Sequence, residues 1–93
     1  MTKQEQRKHY DRVARIGCIL CKYLGYETQD VGCQIHHIRR TSKRSNAPVI
    51  GLCYEHHIGN TGIHGLGRRG FERKYSPITE EKLLEMVQAI LKD

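Results

Sequence analysis

The sequence has no Trp, one Phe and two Pro, and only 38% of its residues are apolar. No apolar run approaches the ~18 residues of a membrane span, so no membrane partner is expected. The opening stretch from Met1 to Arg12 is polar and lacks the apolar segment of a secretory signal. A reduced, cytoplasmic setting is the expectation, and with it free thiols rather than disulfides. No internal repeat and no low-complexity tract is present. With 93 residues, one domain over 1–93 is expected, and a core this small needs a staple.

Acidic residues are also scarce relative to basic ones: ten against sixteen, a net charge of +6. A basic surplus on a small domain points to a polyanion, most often nucleic acid, although solubility alone also accounts for it. Six His are a further hint, because imidazole ligates metals and moves protons near neutral pH.

The periodicity predicts a first helix over 3–16, with Tyr10, Val13, Ala14 and Ile16 as a weak apolar stripe. Gly25 to Gly32 reads as a loop. Strands are expected over Gln34 to Ile38 and Val49 to Leu52, joined by a basic connection. A short helix runs from Tyr54 to about Gly59. Gly59, Gly62, Gly65, Gly67 and Gly70 then imply tight turns or close backbone approach to a ligand. Phe71 and Tyr75 are spaced to pack on one helical turn. The last helix, about 79–92, is capped by Thr79, and Glu80 and Glu81 sit where the helix dipole favours acids. Leu83, Leu84, Val87, Ile90 and Leu91 give it one apolar face, so it reads as a packing helix without chemistry.

Two ligand pairs share one spacing: Cys18-x-x-Cys21 and Cys53-x-x-His56. Zinc takes four N or S donors in a tetrahedron, and two intervening residues let a turn present both donors to one ion. A structural Zn2+ is expected there; the alternative is buried cysteines acting as small hydrophobes. Cys33 has no neighbour at ligand spacing and is expected to be a plain buried Cys. His36–His37 and His56–His57 are adjacent pairs. Neighbours diverge on a strand or a helix, so each pair can serve two places. With His56 at the zinc, His36, His37, His57 and His64 form a hydrolytic set around a second divalent ion. The alternative is a single larger zinc cluster, or histidines that only hydrogen-bond.

IHHIRR and VIGLCYEHHIGNTGIHG together resemble an HNH (ββα-metal) nuclease. The order C-x-x-C, HHIR, LC-x-x-HH-x-G, H-G, F-E-x-x-Y resembles, more narrowly, the phage Ref-type nucleases, whose activity depends on a RecA filament. The resemblance covers roughly residues 16 to 91. It implies an α+β fold, a small zinc-stapled ββα-metal domain with flanking N- and C-terminal helices and a motif core of about 16–75. It implies DNA and a RecA-type recombinase filament as partners, with DNA recombination in a phage's bacterial host as the setting. Carried onto this chain, His36 and His57 are catalytic-metal ligands, His37 is the general base, and His64 completes the site. Cys18, Cys21, Cys53 and His56 match the zinc ligands of the Cys-rich branch. Pro48 stands where the middle Asn of the HNH motif is expected, and Asn46 falls two residues early.

Arg39, Arg40, Lys43 and Arg44 follow the candidate base closely, and Arg donates bidentately to phosphate. Arg39 is the candidate for the catalytic step, gripping the scissile strand or the charged transition state. Arg68 and Arg69, with Arg73 and Lys74, extend a phosphate track that carries little base information. Tyr23, Tyr26 and Tyr54 are expected to pack around the zinc, and no base-reading helix is evident. The expected function is a metal-dependent DNA endonuclease using Mg2+, Mn2+ or Zn2+ at its catalytic site. The alternative is a non-catalytic zinc-binding DNA module. A redox role for Cys18 and Cys21 is disfavoured, because no thioredoxin-like βαβ pattern surrounds them.

Overall fold

A computed structural model describes residues 2–26, 33–38 and 47–92. Helix α1 (Lys3–Ile16) opens on a capping box in which Thr2 and Glu5 exchange backbone and side-chain hydrogen bonds, both 3.1 Å. Cys18 then caps the short helix α2 (Ile19–Leu24), its sulfur accepting from the Cys21 amide. Strand β1 (Cys33–His37) pairs antiparallel with β2 (Val49–Cys53), with His36 opposite Ile50 and His37 opposite Val49. Just beyond the ladder, the Ile38 amide donates to the Pro48 carbonyl at 2.9 Å. Pro48 therefore serves the strand entrance through its backbone carbonyl, just outside the ladder, where proline is tolerated.

Three helices follow: α3 (Tyr54–His57), α4 (Ile63–Lys74) and α5 (Glu80–Lys92). All five residues of β2 are buried, and α1, α2, α3 and α5 pack against that strand. The core gathers Val13, Ile19, Leu20, Ile50, Leu52, Phe71, Leu83 and Val87, each at most 1% exposed. The result is a small α+β domain with a two-stranded sheet and flanking helices. Among the described residues no helix is long and apolar enough to cross a membrane.

The glycine-rich stretch departs from the expectation of turns around a ligand. Gly65, Gly67 and Gly70 lie inside α4, which is kinked at Gly67 (φ 75°, ψ 160°), a conformation that glycine alone adopts readily. The close approach is backbone to backbone. A Cβ on Gly62 would collide with the Glu55 carbonyl and the His56 backbone, and one on Gly65 with the Gly59 carbonyl. Low helix propensity is overridden because only glycine lets the start of α4 lie against α3. Phe71 and Tyr75 pack as expected, with ring centroids 4.9 Å apart.

Three further expectations are corrected. Tyr23, Tyr26 and Tyr54 are 46%, 61% and 60% exposed rather than packed, because α2 with the turn that leaves it, and α3, face these side chains outward. The ring that does lie against the thiol cluster is Tyr75, edge-on to His56 at 5.7 Å. Ile90 is 41% exposed, so the apolar face of α5 narrows toward its end to Leu83, Leu84, Val87 and Leu91. Cys33 is half-buried rather than buried.

Candidate metal centres and reaction pocket

The first cluster forms where the start of α2 meets the junction of β2 and α3. Cys18 and Cys21 come from the α2 cap and first turn, and Cys53 and His56 from the end of β2 and α3. The His56 Nδ1 lies 3.6, 3.4 and 3.3 Å from the sulfurs of Cys18, Cys21 and Cys53. The Cys21 and Cys53 sulfurs are 3.8 Å apart. A tetrahedron with Zn–S of about 2.3 Å and Zn–N of about 2.0 Å has edges of roughly 3.8 Å between sulfurs and roughly 3.6 Å from sulfur to nitrogen. The four donors therefore match the edge lengths of a zinc site, and all four residues are buried. Burial, with the neighbouring thiols, pushes the Cys21 thiol well above its ordinary range, and burial does the same to Cys18. Three thiolates are tolerated there only with a cation among them. Cys33 stands outside this set, and burial pushes its thiol up to about 11.

The second cluster is His36, His57 and His64, whose ligand-type atoms all lie within 4.8 Å of one another. Strand β1 supplies His36, α3 supplies His57, and the first turn of α4 brings His64 back to them. Ring centroids are 5.1 Å apart for His36 and His57, 5.4 Å for His36 and His64, and 4.7 Å for His57 and His64.

Two contacts aim these rings. A carboxylate only accepts, so the 2.7 Å contact between His36 Nε2 and the Glu80 Oε2 places the ring proton on Nε2. Its Nδ1 is then an acceptor, buried and without a hydrogen-bond partner among the described residues. Likewise the His57 Nδ1 donates to the Gln34 Oε1 at 2.6 Å, which leaves its Nε2 as the lone-pair nitrogen. A buried, unsatisfied nitrogen costs free energy unless something occupies its lone pair. A divalent cation shared with His57 and His64 fits that donor set.

Burial, with the nearby His36, His64 and His37, pushes the His57 ring from its usual 6.5 down to about 4. The neutral form is thus favoured on folding. The stability this ring contributes is complete above about pH 6.5 and disappears as pH falls through about 4. In protein loaded only at the thiol cluster, the His57 ring resonances should stay those of neutral imidazole down to about pH 4. A midpoint near 6.5 would show that the cluster does not exclude protons.

His36 and His64 also face a cavity of about 330 Å³, lined further by His37, Ile63, Gly67, Arg68 and Glu80. His37 belongs to neither ligand cluster. Its ring meets Tyr10 of α1 edge-on at 5.7 Å, and its Nε2 lies 3.4 Å from the Tyr10 hydroxyl. The kink at Gly67 leaves Arg68 at the cavity wall; Arg69, exposed like Arg68, does not line it. Arg39, Arg40, Lys43 and Arg44 lie outside the described residues.

Two residues of this site were given no chemistry by sequence reasoning: Glu80 and Gln34. Gln34 is two residues before His36, so strand alternation alone puts both on one face of β1. Glu80 carried a local signal only as a helix-start acid. The last helix packs the core as expected, and its first residue also contacts His36.

The fold and its clusters define a class: a small α+β domain with a Cys3His cluster backed onto a three-histidine cluster. Residues 2–91 match the family described as recombination enhancement, RecA-dependent nuclease. The chain belongs to that family and is a nuclease. No curated protein and no solved structure gives a significant match.

Proposed function

We propose that the chain is a metal-dependent DNA endonuclease of the HNH (ββα-metal) type that cuts phosphodiester bonds in a RecA-dependent step of recombination. β1, β2 and α3 are its ββα unit. Cys18, Cys21, Cys53 and His56 hold a structural zinc. His36, His57 and His64 hold the divalent ion used in cleavage, Mg2+, Mn2+ or Zn2+. The observation that carries this reading is the buried His36 Nδ1, without a hydrogen-bond partner among the described residues, on a ring that stands beside two further imidazoles.

The ion would contribute electrostatic stabilisation of a phosphate oxygen and of the leaving 3′ oxygen. His37, on the same cavity, takes a proton from the attacking water, with Tyr10 limiting the rotation of its ring. Arg68, which lines the same cavity, meets the phosphate. Arg39, Arg40, Lys43 and Arg44, with Arg69, continue the grip along the backbone. A track of this kind holds phosphates without reading bases, so targeting falls to the recombinase filament.

The test is cleavage of single-stranded and duplex DNA by the purified chain, with and without a RecA filament, in Mg2+, Mn2+ or Zn2+. The wild type should cut when filament and cation are both present, and a chain with His36 and His57 both replaced by Ala should not. Equal cleavage by the two proteins would rule out the three-histidine centre. A chain that binds DNA but never cuts it would instead fit a zinc-stapled binding module.

A further inference from the structure

The start of α5 reaches into the three-histidine cluster. Glu80 shares a helical stripe with Leu83 and Val87, three and seven residues on, which are 0% and 1% exposed. That stripe turns inward, and Glu80 turns with it. It is 5% exposed, while the next residue, Glu81, faces solvent. An acid recruited only by the helix dipole has no need of burial, and Glu81 already provides one. A carboxylate buried without a matched donor is costly, so its 2.7 Å contact with His36 Nε2 is the interaction that justifies its place.

We infer that Glu80 is a positioning residue of the cleavage site, holding His36 in the tautomer that presents Nδ1 to a divalent cation. This rests on the three-histidine centre of the proposed function and adds the residue that sets its geometry. Imidazole has one lone-pair nitrogen when neutral. If the proton sat on Nδ1, the nitrogen not engaged by Glu80 would be a donor and could not bind an ion. Glu80 accepts only, so it excludes that form. It also strengthens His36 as a donor to the ion by withdrawing the Nε2 proton toward itself. The helix that packs the core thereby ties the tautomer to the fold: His36 is set correctly only when α5 is docked.

The experiment uses full-length protein carrying zinc at the thiol cluster, with Mn2+ alone as the probe of the second centre. In Glu80→Ala, Mn2+ affinity should fall about 10- to 100-fold with zinc content unchanged. Glu80→Gln keeps an accepting oxygen and should recover most of that loss. Glu81→Ala, in the same first turn, should bind Mn2+ like the wild type. Long-range proton–nitrogen spectra before Mn2+ addition should show His36 protonated on Nε2 in the wild type and in Glu80→Gln, and a tautomer mixture in Glu80→Ala. Unchanged Mn2+ affinity in Glu80→Ala, or a wild-type His36 protonated on Nδ1, would overturn the inference about Glu80 alone. A wild type that takes up no Mn2+ would sink the three-histidine centre itself. The wild-type spectrum and Glu80→Gln keep the test decisive even if Glu80→Ala does not fold.

Discussion

Replacing His37 by Ala should lower DNA cleavage by about 10²- to 10⁴-fold, the usual contribution of a positioned general base. Zinc content and Mn2+ uptake should stay those of the wild type. The separation follows from placement. His37 belongs to neither ligand cluster, yet it lines the same cavity as His36 and His64. It closes β1 opposite Val49 and is only half-buried, so losing its ring removes little core. A residue that merely filled space there would affect melting and leave cleavage alone. The measurement is the nicking rate under saturating cation, beside zinc content and thermal melting of the same samples. Cleavage at the wild-type rate would exclude His37 as the base. A fall in melting and cleavage together, with loss of zinc, would assign it a structural role instead.

The second large effect concerns the thiol cluster. Stripping zinc with a strong chelator should unfold the chain cooperatively, with loss of helical signal and exposure of all four cysteines to alkylation. Zinc alone should restore it. Structural zinc in small fingers is worth about 10–16 kcal/mol in apparent binding free energy, whereas a whole domain is stable by about 5–15 kcal/mol. On this scale the ion's contribution is comparable to the whole net stability of a domain. The topology concentrates the loss, because the cluster joins α2 to the β2–α3 junction. Left empty, it also sets three buried thiols against one imidazole with no cation between them. Cys53→Ala should behave like the chelated wild type. A chain that kept its helical signal and its melting temperature after zinc extraction would show that the apolar core suffices and the cluster is incidental.

What the sequence made legible was local. Capping and periodicity placed α1 and the body of α5, because both signals lie within a turn or two of the residues they organise. The paired spacings Cys18–Cys21 and Cys53–His56 brought four donors together, since ligand geometry leaves few other arrangements for such couples. The grouping of His36, His57 and His64 followed from the family resemblance, whereas the adjacent pairs alone offered four imidazoles, His37 among them. Contacts between residues far apart in the chain were not legible. Glu80 lies 44 positions from His36, and nothing near it separates a dipole-matched acid from one turned inward. Only the docking of Leu83 and Val87 decides that. The glycine-rich segment misled for a related reason. Its composition argues against a helix, and the packing of Gly62 and Gly65 on neighbouring backbone outweighs that preference. Tyr23, Tyr26 and Tyr54 showed the opposite failure: aromatic character suggested burial, but helices this short leave no second layer to cover them.

The single turn that holds His56 and His57 also limits how the chain can be altered. Consecutive residues there belong to separate candidate donor sets, so that turn should not tolerate a change of length. An inserted residue would swing the following imidazole by about 100°, and one set or the other would lose its donor. Redesign aimed at altering what the enzyme recognises has no latitude at this hub.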